Sequence, residues 1–276
     1  MNFSVCICVY VKDNASYFKE ALKSIINQSL TPAQIVLVVD GLINDSLQNI
    51  INNFMQDCLS LSIRLDVIYL EKNKGHGEAR RVSIENARHD LIALMDADDI
   101  SRYERFERQI SVFNNNNFSI VGGQIMEIFH DTKKEISVRN VPSADKDIKK
   151  YLKTRCPFNQ MSVMFRKNDV LKAGNYIDFY HNEDYYLWIR MYLKGFKFYN
   201  IPEVLVDVRV DKDFYNRRGG WKYFLSEFRL QKIMYKHNII SLLRLIFNSS
   251  ARFAIQILVP LKLRGALFKL FFRSKL

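Results

Sequence analysis

Four short runs of apolar, β-forming residues alternate with amphipathic helical patterns in the first third of the chain, and this alternation restricts the fold more than any other feature. The runs cover residues 3–10, 35–39, 65–70 and 91–95. Strands that are apolar on both faces are typical of parallel sheets covered by helices on both sides. Strands that alternate with helices form βαβ units. The sequence therefore predicts an α/β fold with a Rossmann-like, mostly parallel central sheet.

Charged or flexible residues directly follow three of these predicted strands. Asp40 ends the second run, a loop over 75–80 follows the third, and an acidic segment over 96–99 follows the fourth. Ligands of open α/β sheets bind beyond the carboxyl ends of the strands, so these residues are expected to form one site. The alternative is that they are turn and helix-capping residues, which are rich in Asp and Gly.

The acidic segment has the composition of a site for a hard divalent cation. Asp96, Asp98 and Asp99 place three carboxylates within four positions, where they repel one another unless a cation or a basic group lies among them. Carboxylate oxygens suit Mg²⁺ and Mn²⁺, and Mg²⁺ usually binds through one or two carboxylates together with substrate phosphates. The segment therefore predicts a Mn²⁺ or Mg²⁺ site next to a phosphate group.

The second half of the chain has weaker patterns. We predict helices over 103–113 and 185–193, strands over 119–123, 124–129, 159–166, 196–201 and 204–210, and an irregular charged segment over 131–150. No repeat or linker separates the halves, so residues 1–216 are predicted to form one domain. The four cysteines lack zinc-site spacing and are expected to be free thiols.

The net charge of +12 comes from the C-terminal segment, residues 217–276. This segment holds 13 Lys and Arg and one acidic residue, whereas residues 1–216 hold 28 basic and 28 acidic side chains. We predict amphipathic helices here, and charges interrupt every window of about 18 residues, the length that spans a bilayer. Interleaved basic and apolar residues are typical of helices in an anionic membrane interface. The alternative is that the helices pack on the rest of the chain or on a second copy.

Five segments, in order, resemble the inverting family 2 glycosyltransferases of the GT-A fold. They are FSVCICVY in the first strand, VVDG at the end of the second, the loop NKGHGEARR, the acidic MDADD and the later HNEDYYLW. The resemblance spans residues 3–215. The stretches PFNQMSVMFRK, YNRRGG and ARFAIQILVPLKLRG also resemble a bacterial subgroup that builds surface polysaccharides such as O-antigen and exopolysaccharide.

The resemblance implies roles for the residues that would bind the donor. Asp40 would contact the uracil of a nucleotide sugar. The loop that includes Gly75 would place Arg80 near the base or the diphosphate, and Asp96 would reach the ribose. Asp98 would ligate Mn²⁺ or Mg²⁺ between the two phosphates.

It also implies roles beyond the donor. Asp99 would be a further or alternative metal ligand, unless it caps the following helix. Asp184 matches the family's catalytic base and Glu183 would support the acceptor, unless the two form a solvated capping pair. Arg217 and Arg218 are candidate contacts for a diphosphate, on the donor or on a lipid-linked acceptor.

By this resemblance the chain would transfer a hexose, glucose or galactose, from a UDP-sugar to an undecaprenyl-diphosphate-linked sugar, with inversion and with Mn²⁺ or Mg²⁺. It would work in surface polysaccharide assembly, peripherally bound at the cytoplasmic face of the bacterial inner membrane. Two other classes are considered. A nucleotidyltransferase would ordinarily carry a Gly-rich basic loop after the first strand, which residues 9–13 lack. A nucleic-acid-binding protein would spread its basic residues over the fold.

Overall fold

The first four strands form the parallel half of the central sheet. The computed structural model describes residues 1–130, 132–210 and 219–260. Strands β1 (Phe3–Val9), β2 (Gln34–Asp40), β3 (Arg64–Leu70) and β4 (Leu91–Met95) lie side by side in the order β3-β2-β1-β4, all parallel. β2 and β4 are buried along their whole length, as expected for strands covered on both faces. This confirms the predicted parallel sheet of the first half.

The later strands make the other half of the sheet mixed. They are β5 (Ile100–Ser101), β6 (Ile120–Phe129), β7 (Glu135–Arg139), β8 (Met164–Arg166) and β9 (Phe198–Val210). β8 is antiparallel to both β4 and β6, while β6 and β9 are parallel. β5 and β7 add antiparallel pairs to β9 and β6. Among the described residues the result is one nine-stranded sheet.

Helices cover both faces of this sheet. They are α1 (Ala15–Ile26), α2 (Asp45–Ser60), α3 (His76–Asn86), α4 (Arg105–Asn115), α5 (Asp145–Leu152), α6 (Lys167–Lys172), α7 (Glu183–Leu193), α8 (Trp221–Lys236) and α9 (Leu242–Phe253), which a π-helical turn extends. Alternate residues of a strand point to opposite faces. Val5 and Ile7 of β1 therefore pack in a core with α1, α2 and α4, whereas Cys6 packs in one with α3, α7 and α8.

Three predictions for the second half were wrong in detail. β6 and β9 are each one long strand where two were predicted, because their pairing continues through register shifts between Gly123 and Ile125. The segment predicted to be irregular contains β7 and α5, and α5 buries only Ile148 and Leu152, too few residues to give a helical periodicity. The predicted strand over 159–166 is reduced to β8, which follows a 3-10 turn.

The described part of the basic C-terminal segment packs on the rest of the chain. Leu230 and Met234 of α8 are fully buried in the core beside α7. Arg252 of α9 pairs with Glu227 of α8 at 2.6 Å and donates a hydrogen bond to the Thr154 carbonyl oxygen at 2.5 Å. Both helices therefore contact residues before position 217, and α8 shares a core with α7. Within the described ranges, every helix is too short or too polar to cross a bilayer.

Leu230→Ala is expected to lower the free energy of unfolding by about 2–5 kcal/mol, because it opens a cavity in a core shared by α7 and α8. The matched control is Leu243→Ala on α9, where the side chain is 80% exposed and a change within about 0.5 kcal/mol is expected. Urea denaturation followed by circular dichroism measures both. Equal stability of the Leu230 variant and the wild type would contradict the shared core.

Candidate active site

The carboxyl end of β2 shapes the loop that follows β3. Both carboxylate oxygens of Asp40 accept backbone N–H groups, from Lys74 at 2.7 Å and from Gly75 at 2.9 Å. Gly41 has a φ of +87°, and a Cβ at this position would lie 2.6 Å from the Asn73 nitrogen, so the turn requires glycine. Asp40 is buried and positions this loop. Its predicted contact with the uracil stays a prediction.

Arg80 joins two parts of the site that are far apart in sequence. Its Nη2 atom lies 2.9 Å from an Asp96 carboxylate oxygen, and its Nη1 atom lies 3.1 Å from a Glu183 carboxylate oxygen. The three side chains are largely buried, with 10%, 22% and 16% of their surfaces exposed. Burial alone would raise the pKa of Asp96, but the adjacent guanidinium outweighs it and holds that pKa below its usual value. Asp96 is therefore ionised and fixed in place.

A cavity of about 310 Å³ lies at the carboxyl ends of β1 and β4. Asp13, Asp96, Asp98, Asp99 and Arg80 are among the residues that line it. The pKa of Asp13 rises to about 7, chiefly because of burial and also because Asp98 and Asp96 lie nearby. The sequence analysis did not identify Asp13 as a site residue; it lies directly before Asn14, the residue that caps α1.

Asp98 and Asp99 differ in environment although they are adjacent. Asp98 is exposed. Asp99 is only 2% exposed, and its carboxylate accepts the backbone N–H of Arg209 at 3.1 Å. Burial, with the nearby acidic residues, raises the pKa of Asp99. Glu104 rather than Asp99 precedes α4 as its N-cap residue, so Asp99 holds the end of β4 against β9.

The arginine that holds Asp99 was also missed by the sequence analysis. The Arg209 guanidinium is buried, donates to the Asp98 carbonyl oxygen and pairs with Glu20. It also lies over the Tyr17 ring, 4.6 Å from the centroid. No local pattern in the sequence distinguishes this arginine, because its partners come from α1 and from the end of β4.

The carboxylates around the cavity could ligate a divalent cation if a substrate supplied further ligands. No preformed group of three or more His, Cys, Asp or Glu side chains arranged as metal ligands occurs in the part of the chain that the structure describes. However, Asp98 is an exposed carboxylate at a cavity that Asp13 and Asp96 also line. Mg²⁺ commonly takes one or two carboxylates and completes its coordination with water and substrate phosphates. The residues present suit that arrangement.

Asp184 faces a second cavity, of about 370 Å³, that is completed by α8 and α9. At the start of α7, its carboxylate accepts the Tyr185 backbone N–H at 2.6 Å and the Cys156 thiol at 3.6 Å. Burial is the main cause that raises the pKa of Asp184, against the opposing effect of these hydrogen bonds and nearby arginines. Glu183 pairs with Arg80, whereas Asp184 faces this cavity, and their predicted roles in catalysis stay predictions. Arg217 and Arg218 lie outside the described residues.

Comparison with solved structures defines the class of fold. The chain is similar to S. aureus TarS 1–349 in complex with UDP-GlcNAc, with a TM-score of 0.68 and 16% identity, over 92% of this chain and 73% of that one. It is also similar to the mannosyltransferase PcManGT of Pyrobaculum calidifontis in complex with GDP-Man and Mn²⁺, with a TM-score of 0.62 and 13% identity, over 98% and 81% of the two chains. The fold is the GT-A fold, as predicted.

Comparison of sequences then gives the family. The profile of glycosyl transferase family 2 matches residues 4–173. An Escherichia coli protein, UDP-Gal:alpha-D-GlcNAc-diphosphoundecaprenol beta-1,3-galactosyltransferase, is 33% identical over 97% of this chain and 95% of its own. The amylovoran biosynthesis glycosyltransferase AmsE of Erwinia amylovora is 36% identical over 84% and 85%. The chain belongs to glycosyltransferase family 2 and is a glycosyltransferase, which confirms the resemblance and sets aside the other two classes.

Arg80→Met is expected to lower the free energy of unfolding by about 3–5 kcal/mol at pH 7, because it leaves two buried carboxylates without their cation. Without Arg80, burial raises the pKa of Asp96 above its unfolded value. The variant therefore gains stability relative to the wild type as the pH falls from 7 towards 5. Urea denaturation at both pH values measures the deficit and its decrease.

Arg81→Met is the matched control for this experiment. Arg81 lies on the same helix, is 37% exposed and pairs with Glu78 and Glu85, both at 2.6 Å. Exposed pairs contribute little, so a loss of about 1 kcal/mol or less is expected. We call the pairing of Arg80 with Asp96 and Glu183 the Arg80 clamp. If the two variants lost the same stability, or if the stability deficit of Arg80→Met did not change with pH, the stabilising role of this clamp would be refuted.

Proposed function

We propose that the chain is a metal-dependent, inverting hexosyltransferase that moves glucose or galactose from a UDP-sugar to an undecaprenyl-diphosphate-linked sugar in surface polysaccharide assembly. The observation that carries the proposal is the Arg80 clamp. It joins the acidic cavity at the end of β4 to the start of α7, where Asp184 faces a second cavity. One cavity suits a metal-bound nucleotide sugar and the other suits an acceptor beside a base.

The donor is assigned to the cavity at the strand ends. Asp96 would bind the ribose, and Arg80 and the loop at Gly75 would lie near the diphosphate or the uracil. Asp40 would help to bind the uracil by positioning that loop. UDP as the nucleotide is supported by the names of two similar proteins, the TarS complex with UDP-GlcNAc and the UDP-Gal-dependent enzyme of E. coli. The name of the latter also supports a hexose as the transferred sugar.

Asp98 is the proposed metal ligand, since it is the exposed carboxylate of the acidic segment. Bound Mn²⁺ or Mg²⁺ would neutralise the negative charge that develops on the leaving diphosphate. Asp99 is proposed to support this site from behind, because its carboxylate is buried and bonded to Arg209. The structure of PcManGT with Mn²⁺ supports a metal in a protein of this fold.

Asp184 is proposed as the base of the transfer step. It would take the proton of an acceptor hydroxyl while that oxygen attacks the anomeric carbon from the side opposite the leaving group, and UDP departs with the electron pair of the broken bond. This single displacement inverts the anomeric centre. A raised pKa favours proton transfer near neutral pH. Glu183 is held by Arg80 and is proposed to fix the start of α7, and with it Asp184.

Asp184→Asn is expected to lower kcat by about 10²- to 10⁴-fold, because an amide cannot accept the hydroxyl proton. UDP-sugar binding should be unchanged. In the wild type, the pKa of Asp184 is raised, so activity should fall as the pH drops through a value above that of an ordinary Asp, about 3.9. Transfer of radiolabelled sugar across a pH series, with calorimetry of UDP-sugar binding, measures these effects.

The control for this variant is Asp178→Asn, which changes the same residue type at an exposed position shortly before α7. It should keep the wild-type kcat and the wild-type pH profile. Full transfer by Asp184→Asn with the wild-type acidic limb would refute the assignment of the base.

Asp98→Asn is expected to weaken the metal-dependent part of UDP binding by at least the roughly 10- to 100-fold that loss of a supporting ligand contact costs. Calorimetry of UDP binding with Mn²⁺ and with a chelator measures this difference without the need for turnover. Asp57→Asn, at an exposed position of α2, is the charge-matched control. Equal UDP affinity of the wild type with and without Mn²⁺ would refute the proposed role of a metal in UDP binding.

Helix α9 supports a peripheral position at the membrane, because its apolar side faces outwards. Leu243 and Phe247 are 80% and 68% exposed, while the polar Asn248 is buried and donates to the Lys153 carbonyl oxygen at 2.9 Å. Soluble helices normally turn their apolar side to the core. Exposed basic side chains lie on the same pair of helices, at Lys222, Lys232 and Lys236 of α8 and at Arg244 of α9. Their charge complements an anionic leaflet, so the proposed occupant is the cytoplasmic membrane surface.

Replacing Leu243, Ile246 and Phe247 together by serine is expected to reduce binding to phosphatidylglycerol vesicles by about tenfold or more, because each side chain buries apolar area in the interface. Salt should weaken wild-type binding through screening of the basic residues. Vesicle co-sedimentation measures both. The control is serine at Met55, Leu59 and Leu61, which are exposed on and after α2. Equal vesicle binding by both triple variants would refute this surface.

A further inference from the structure

The two cavities meet at one residue. Met161, in the 3-10 turn before β8, lines the acidic cavity that contains Asp98 and also the second cavity that contains Asp184. A group bound beside Asp184 would therefore lie next to the donor cavity without sharing its carboxylates. The second cavity consequently has the position required of an acceptor site.

Three arginines line the second cavity, and two of them come from the segment around α5. Arg139 donates to the Cys156 carbonyl oxygen at 3.3 Å, and the Cys156 thiol donates to Asp184 at 3.6 Å. Arg155 lies at the end of the same segment. The third, Arg252, is paired with a glutamate of α8. Guanidinium groups with five N–H donors suit the paired oxygens of phosphates, so Arg139 and Arg155 give this cavity the chemistry of a diphosphate site.

The other wall of the second cavity is apolar and leads to the surface. Phe247, Ala251 and Ile255 line it from α9 and the π-helical turn. Phe247 is also 68% exposed, so the cavity opens beside the outward apolar side of α9. The cavity thus has a charged part, at Asp184 and the arginines, and an apolar part at Phe247. A ligand with a charged head and a hydrocarbon tail would match both parts.

We propose that the second cavity binds the head of a sugar-diphosphate lipid, with the sugar at Asp184, the diphosphate at Arg139 and Arg155, and the hydrocarbon leaving past Phe247. The inference rests on the proposed function and adds the residues that recognise the acceptor's diphosphate. It assigns this recognition to described residues, independently of any contribution from Arg217 and Arg218.

The test compares two acceptors that carry the same sugar and the same undecyl chain. One is GlcNAc-diphosphate-undecyl and the other is the neutral undecyl glycoside of GlcNAc. Arg139→Gln and Arg155→Gln are each expected to lower kcat/KM for the diphosphate acceptor by about 10- to 100-fold, the size of a lost charge-assisted hydrogen bond. The kcat/KM for the neutral glycoside should fall by a much smaller factor, because that acceptor carries no diphosphate.

Arg244→Gln is the matched control, because Arg244 is an exposed arginine of α9 outside both cavities. It should leave both acceptors unaffected. If Arg139→Gln and Arg155→Gln lowered both acceptors equally, or neither, the diphosphate site would be overturned. If the wild type hydrolysed UDP-sugar but transferred to neither acceptor, the acceptor class of the proposed function would fail instead.

Inhibition of the wild-type enzyme tests the same site without depending on whether the arginine variants fold. Undecyl diphosphate, which lacks a sugar, is expected to inhibit competitively against the diphosphate acceptor and not against the UDP-sugar. Phe247→Ala should weaken this inhibition, but not inhibition by a methyl diphosphate probe, because only the longer chain reaches α9. Inhibition that is competitive with the UDP-sugar would overturn the inference, since it would locate the diphosphate in the donor cavity.

Discussion

The buried guanidinium of Arg80 is the interaction on which the arrangement of the active site depends. Its two carboxylate partners come from the end of β4 and the start of α7, so one side chain of α3 sets the relation of three elements. Buried charges are costly unless each has a well-placed partner. A packing that moved α7 away from β4 would leave Glu183 or Asp96 buried and unpaired. The clamp therefore selects the arrangement in which the donor residues and the base are adjacent.

The change from a parallel to a mixed sheet gives the site its second side. After β4 the next strand in the sheet is β8, which runs antiparallel, and the chain then returns through α7 and β9. That path brings Asp184 and Arg209 to the edge where the parallel strands end. Arg209 holds Asp99 and the Asp98 backbone, which leaves the Asp98 side chain exposed at the cavity. The two halves of the sheet thus contribute different functions.

The location of the site could be predicted from the sequence, because parallel strands direct their carboxyl ends to one edge. Asp96 and Asp98 were assigned to that edge in this way, and Asp184 was assigned from the family resemblance; Asp96 and Asp98 line one cavity and Asp184 the other. The role of Asp13 could not be predicted, because its raised pKa depends chiefly on burial in the folded chain and also on carboxylates more than eighty residues away. The packing of α8 was equally hidden, since a helical periodicity shows that Leu230 lies on an apolar face but not what covers that face. Adjacent aspartates such as Asp98 and Asp99 cannot be told apart by composition alone.

At the start of α7, two consecutive residues point in different directions. Successive side chains of a helix are about 100° apart around its axis, so Glu183 can hold Arg80 while Asp184 faces the other cavity. Trp188 and Ile189 of α7 are fully buried, and their packing fixes the rotation of the helix about its axis. Loss or gain of a single residue between the two carboxylates and these buried positions would turn the carboxylates by that angle and remove each from its present surroundings. The spacing between the start of α7 and its buried residues is therefore part of the active site.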